Sequence, residues 1–156
     1  MRPTEESLIA IAAGLAAAGQ QVAQSQTAAI VAAGHTYLVV STERTTLTLY
    51  KNGKVIFSTR VGTGKSSTPT PHGHFYIRDR LDGFPADSEY GPTAFGTSAL
   101  SNVETDWPGG GVIGIHGTNE PSLIPGHPSH GCIRLPNWEI VKLAKLLPIG
   151  TPLTID

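Results

Sequence analysis

The 156-residue chain is long enough for one domain and too short for two large ones. Its 39% apolar and 15% charged residues suit a folded core, and 11 Lys+Arg against 12 Asp+Glu leave a formal charge of −1, which offers no basic field to nucleic acid or an anionic membrane surface. A lone cysteine, Cys132, excludes an internal disulfide and a multi-thiolate metal cluster, while 18 glycines and 12 prolines point to short strands and turns rather than a helix bundle.

Residues 1–34 stand apart from the rest. Leu8 to Ala18 is almost entirely apolar and Ala28 to Ala33 is Ala-rich, so helix is the local expectation. The first run is too short to span a bilayer but matches the apolar region of a secretory signal, with Ala23-Gln24-Ser25 as a small-x-small cleavage site. Glu5 and Glu6 occupy the place where such a signal carries positive charge. A leader and a packed N-terminal helix both stay open.

Residues 35–156 read as a single, mainly β domain. Tyr37 to Val40 is a buried-strand run, Leu47 and Leu49 alternate with Thr46 and Thr48, and Asn52-Gly53 signals a two-residue hairpin. Val55, Phe57, Thr59 and Val61 then alternate, which predicts a β-meander. Gly62 to Gly73 is a Gly/Ser/Thr/Pro loop leading into a strand from His74 to Arg78, and Leu81 to Gly111 is a second, long loop-rich stretch. Val112 to His116 is a short apolar strand, and Gly117 to Ser129 returns the chain to the cysteine. Asn137 is placed to cap a helix with Ile140, Val141, Ala144 and Leu147 on its apolar face, and a last strand covers Pro152 to Ile155.

The chemistry concentrates in Ser129-His130-Gly131-Cys132-Ile133-Arg134-Leu135-Pro136-Asn137. A thiol at its ordinary pKa of about 8.5 is only a few per cent ionised at neutral pH, and a neighbouring imidazole is expected to lower that value. Two histidines qualify. If residues 130 to 132 are extended, His130 shares a face with Cys132 but its side chain stands about 7 Å away at the base, whereas a residue opposite on a paired strand stands about 4.5–5.5 Å away. A cross-strand His116 is therefore the better-placed base. His130 would orient substrate, donate to developing charge or fix the turn, and the N–H groups of Gly131 and Cys132 could form an oxyanion hole.

These segments, in this order, resemble the L,D-transpeptidases of the bacterial cell wall, the YkuD-like catalytic domains. Their signature, a His followed after about a dozen residues or more by Ser/Thr-His-Gly-Cys, is met by His116 and Ser129-His130-Gly131-Cys132, and the Arg-x-x-Asn that often follows is met by Arg134 and Asn137. Thr68-Pro69-Thr70-Pro71-His72-Gly73-His74-Phe75 resembles the family's Thr-Pro-x-Gly-x-Phe segment, and Tyr90-Gly91-Pro92 with Phe95-Gly96 resembles its Gly-Pro…Gly segment. The resemblance implies a β-sandwich-like catalytic fold with a short C-terminal helix. It also implies an extracytoplasmic enzyme that acts on peptidoglycan stem peptides, without a metal or other cofactor. Cys132 would form a thioester, release a terminal D-amino acid and pass the acyl group to an amine. Carried over, His116 is the acid–base partner, the Gly117 carbonyl orients its ring, and His130, Ser129, Gly131 and Arg134 fall in the site, with Arg134 able to hold a substrate carboxylate. Some members have serine where this chain has Gly117, a change expected to matter little if only the carbonyl acts. No peptidoglycan-binding repeat is recognisable.

Two other readings compete. One is a wall-binding module that keeps the fold without turnover. The other is a zinc hydrolase site built from His116, His127, His130 and Cys132, whose spacing matches no usual zinc motif. His72 and His74 read as solvated or structural side chains near a strand start.

Overall fold

The first period-two runs fold into a three-stranded meander. The computed structural model describes residues 35–103 and 111–156, so the two readings of residues 1–34 lie outside the described residues. Strands β1 (Thr36–Ser41), β2 (Thr46–Lys51) and β3 (Lys54–Arg60) pair antiparallel in sequence order. Asn52 and Gly53, at φ 54° and 77°, make the reversal that the Asn-Gly pair predicts, since both central residues of such a turn need positive φ. The alternation expected along β3 breaks. Pairing passes from Leu49 opposite Phe57 to Tyr50 opposite Val55, so Ile56 is an extra residue, and the bulge leaves Val55 56% exposed while Phe57 is buried.

The remaining strands are β4 (Gly62–Gly64), β5 (Gly73–Asp82), β6 (Thr93–Leu100), β7 (Val112–His116), β8 (Gly126–Ser129), β9 (Ile133–Arg134) and β10 (Pro152–Ile155). The strands follow the order β3-β2-β1-β10-β5-β6-β7-β9-β4-β8. β5 belongs to both halves of this arrangement: Gly73 to Tyr76 pair with β10, and Ile77 to Asp82 pair with β6. The register shift between Ile77 and Asp79 marks the change, and the sheet curls there into the sandwich-like form that the family resemblance implies. Leu38, Leu49 and Leu153 from one half and Ile77, Phe95, Ile115 and Ile133 from the other share one core. Full burial of each such side chain contributes about 1.5–3 kcal/mol relative to exposure.

Other elements also differ from expectation: the stretches read as loops over residues 62–73 and 117–129 contain the short strands β4 and β8. The long loop inferred from Leu81 to Gly111 contains β6, in which Thr93, Phe95, Thr97 and Ala99 point inward. Small and polar residues at those positions mute the period-two signal. The C-terminal helix α1 (Asn137–Ala144) is capped by Pro136 rather than Asn137, and it buries Ile140, Leu143 and Ala144 while Val141 is 41% exposed. The helix is thus rotated so that Leu143, not Val141, faces the core.

Candidate active site

Parallel pairing of β7 with β9 brings the two ends of the signature together. Ile115 lies opposite Ile133, and His116 lies opposite Arg134. Continuing that register sets Cys132 level with Gly114, whose N–H donates to Cys132 Sγ at 3.3 Å. Gly114 and His116 are two residues apart on one strand and so share a face. A Cβ on Gly114 would stand 3.5 Å from His116 Cδ2 and 3.7 Å from Cys132 Sγ, so imidazole and thiol converge over a position that has no side chain. His116 is therefore diagonal to the cysteine rather than directly opposite it. Diagonal cross-strand neighbours, about 7–8 Å apart, are within reach of long or aromatic side chains.

The electrostatics differ from the expected thiolate. His116 is buried, and its Nδ1 donates to Gly117 O at 2.5 Å. Because a carbonyl only accepts, the proton sits on Nδ1 and Nε2 keeps its lone pair. Burial pulls the His116 pKa down to about 4, against the opposing pull of the Gly117 carbonyl and with a further lowering by the Arg134 charge. Burial also pushes the Cys132 thiol up, which the Gly114 N–H and Arg134 only partly offset. The expected lowering of the thiol pKa is thus outweighed by desolvation, and at neutral pH the pair rests as thiol and neutral imidazole. Tyr90 meets the His116 ring edge-on, with centroids 5.2 Å apart at 75°, and Phe84 packs against Tyr90 at 5.5 Å with the two rings tilted by 43°.

The turn that carries Cys132 is held by hydroxyls. Ser129 Oγ donates to Cys132 O at 2.5 Å and accepts the Gly131 N–H at 3.1 Å. Thr68 Oγ1 donates to Ser129 O at 3.3 Å, and Thr70 Oγ1 donates to Gly131 O at 2.8 Å. Gly131 has φ 130°, a conformation open to glycine, and a Cβ there would stand 3.1 Å from Ile113 Cδ1. Two expectations need correction. The Gly131 N–H is already engaged by Ser129, so it does not stand ready for an oxyanion, and the buried Ser129 hydroxyl spends its bonds on backbone rather than facing substrate. The structure adds Thr68 and Thr70 to the site's supports, which the sequence marks only as part of a loop motif.

His130 is exposed and lines the pocket beside Cys132. Arg134 lines it too, and its Nε is buried without a hydrogen-bond partner. The pocket is about 560 Å3, and its outer wall carries Arg78, Asp79 and Glu89. His127 lies elsewhere, with Nδ1 2.8 Å from Thr63 Oγ1, and among the described residues no three His, Cys, Asp or Glu side chains converge as metal ligands, so the four-ligand zinc site is not assembled. His72 and His74 bond to Thr42 and Thr154 respectively, at 2.9 and 3.0 Å.

Asn137 braces the His116 strand end. Its Oδ1 accepts the Thr118 N–H at 2.8 Å, and its Nδ2 donates to Ala86 O at 3.2 Å. A Cβ on Gly117 would stand 2.3 Å from Asn137 Oδ1 and 2.9 Å from Gly91 Cα. Serine at 117 is therefore not a neutral change in this chain, contrary to the reading that only the carbonyl matters. We expect Gly117→Ser to destabilise the fold by about 1–3 kcal/mol through overpacking. Because it displaces the carbonyl that holds His116, acylation should slow as well, measured by thermal melts alongside single-turnover kinetics. An unchanged melt and rate would show that Asn137 yields without cost.

Comparison with known proteins points the same way. The model of the L,D-transpeptidase catalytic domain family YkuD matches residues 35–155. The Bacillus subtilis protein YkuD, whose name assigns it to the L,D-transpeptidases, is 38% identical over 122 residues, covering 77% of this chain. The chain spans 65% of that relative's length, a little under two thirds. The solution structure of the catalytic domain of an Enterococcus faecium L,D-transpeptidase superposes with a TM-score of 0.57 at 28% identity, over 79% of this chain and 98% of that one. The transpeptidase LdtMt1, solved in complex with imipenem, has a TM-score of 0.58 over 79% of this chain and 59% of its own, and at 23% identity it attests the fold alone.

Proposed function

The chain belongs to the L,D-transpeptidase catalytic domain family YkuD, and on that premise we propose that it carries out cysteine-dependent acyl transfer on peptidoglycan stem peptides. The observation that supports this most is the meeting of the Cys132 thiol and the His116 ring over Gly114. The Gly117 carbonyl keeps the Nε2 lone pair available, so His116 takes the thiol proton as sulfur attacks the stem-peptide carbonyl. A C–S bond forms and the carbonyl oxygen becomes an oxyanion. With the Gly131 N–H engaged by Ser129, the Cys132 N–H is the donor we assign to it. Collapse breaks the C–N bond, and the imidazolium returns the proton to the departing D-amino acid amine. An acceptor amine then attacks the thioester, His116 takes its proton, and the thiol is restored.

Arg134 suits the donor peptide. Its Nε is buried without a hydrogen-bond partner while the half-buried side chain lines the pocket, so a substrate carboxylate could supply the missing acceptor. His130, exposed at the pocket, would contact the bound peptide rather than move the proton. A substrate in the bacterial wall places the reaction outside the cytoplasm. Among the described residues no helix is long and apolar enough to cross a membrane.

The test is mass spectrometry of muropeptides incubated with the protein. We expect loss of one terminal D-amino acid from the donor and a product in which the donor acyl group is joined to an amine or to water, which identifies the acceptor. Unchanged muropeptides with folded protein would leave the wall-binding module as the better reading.

A further inference from the structure

A second cleft, of about 500 Å3, shares no lining residue with the catalytic pocket. It is bounded by Lys65 and Ser66 of the loop after β4, by Thr42 and Thr63, and by His72 and His127. No acidic side chain lines it, whereas the catalytic pocket sets Asp79 and Glu89 among its arginines. We propose that this cleft is an anion subsite that takes a carboxylate or phosphate group.

The polar groups are arranged for an acceptor-rich ligand. Thr42 Oγ1 donates to Asp156 O at 2.8 Å, so toward His72 it acts as acceptor, and the 2.9 Å contact puts a proton on His72 Nε2. His127 is tied through Nδ1 to Thr63 Oγ1 at 2.8 Å. Each imidazole therefore commits one nitrogen to the fold: His72 is left with Nδ1 as an acceptor, while the His127–Thr63 pair keeps one donor for a ligand, either the ring Nε2–H or the hydroxyl. Lys65 pairs with no carboxylate among the described residues, although its backbone N–H is fixed to Ser129 O at 2.9 Å. The Lys65 ammonium, the Ser66 hydroxyl and the one donor of the His127–Thr63 pair form the donor set, with no carboxylate among the lining residues and Asp156 touching only the Thr42 hydroxyl at the cleft's edge.

The cleft is also built in advance. Thr70 Oγ1 accepts the Gly64 N–H at 2.9 Å while donating to Gly131 O, and a Cβ on Gly64 would stand 2.2 Å from Thr68 O, so the loop is folded tightly on itself. A ligand entering it would order little, which favours binding. The volume exceeds that of one small anion, leaving room for the sugar or amino acid that bears it. The same loop holds the Cys132 turn through Thr68, Thr70 and Lys65, so an occupied cleft would abut the supports of the nucleophile.

The experiment follows the ring signals of His72 and His127 by carbon–proton NMR on the full chain. One arm is titrated with inorganic phosphate and the other with a stem tetrapeptide. We expect saturable shifts of both rings in at least one arm, and about tenfold weaker binding in Lys65→Ala for the loss of one charge-assisted contact. His127→Gln, at another exposed position, should weaken binding in the same direction. Saturation by phosphate identifies a site for the free anion, and saturation by the peptide alone identifies a wall carboxylate. No saturable shift in either arm, or unaltered binding in both variants, overturns the proposal. Because binding is read without turnover, the result stands apart from the acyl-transfer reading.

Discussion

Cys132→Ser is expected to abolish acyl-enzyme formation while leaving the fold unchanged. The hydroxyl is near-isosteric with the thiol, and the main interaction it inherits, the Gly114 N–H at 3.3 Å, suits an oxygen acceptor as well as sulfur. The chemistry is not preserved. Burial already holds the Cys132 thiol above its ordinary pKa, so attack depends on proton transfer to His116 during the step, and a serine hydroxyl is a much weaker acid in the same place. We expect a loss of at least about 10⁴-fold in acylation, as for removal of a nucleophile elsewhere. Intact-protein mass spectrometry after exposure to a stem tetrapeptide or to imipenem is the measurement. A covalent adduct on the serine variant at a comparable rate would show that the nucleophile lies elsewhere.

His116→Ala is expected to cost about 10²–10⁴-fold in single-turnover acylation, the usual range for a lost general base. His130→Ala should cost about tenfold or less, because His130 is exposed at the pocket and the proposed mechanism gives it a contact with the peptide rather than the proton. The reverse ranking would sink the assignment. The pH profile gives an independent readout. Only the neutral imidazole accepts a proton, and burial holds the His116 pKa at about 4, so acylation should stay level from neutrality into mild acid and fall as pH approaches about 4. A base with the ordinary histidine pKa of about 6.5 would lose rate between about pH 7 and 6.

Stability should follow the same group with a definite sign. The folded pKa of His116 is depressed, so the unfolded chain binds the proton more readily, and stability is present in full above about pH 6.5 and is lost as pH falls toward about 4. The loss from this residue is about 3 kcal/mol over that window. Replacing His116 by Asn should flatten the slope in urea melts taken across it. Folded fraction and acylation rate can be read on the same samples, which keeps the kinetic fall near pH 4 distinct from unfolding.

Legibility in the sequence tracked the range of the interaction. The Asn52-Gly53 turn, the apolar runs of β1 and β2 and the strand Pro152–Ile155 depend on neighbours in the chain, and they stand where the local pattern puts them. β6 escaped because Thr93, Gly96 and Thr97 look like loop residues until a curled sheet covers them. The parity of β3 depends on a bulge against β2, and the rotation of α1 depends on which side chains the core accepts. Asn137 illustrates the same limit. Its local chemistry suggests a helix cap, yet its amide reaches back to Thr118 and Ala86.

By itself the amino-acid sequence determined the kind of chemistry: one thiol, two histidines at a characteristic spacing, a glycine beside the sulfur, and a β-rich frame to hold them. Side-chain chemistry and short-range periodicity are properties of the chain before it folds. The tertiary structure alone decided that His116 meets Cys132 diagonally across Gly114, that the Gly117 carbonyl fixes its tautomer, and that Ser129 takes the Gly131 N–H. It also decided that thiol and imidazole both rest uncharged. Register between distant strands and the loss of water around a buried group arise only when the sheet closes, and those two quantities set the reach and the proton affinity of each group in the site.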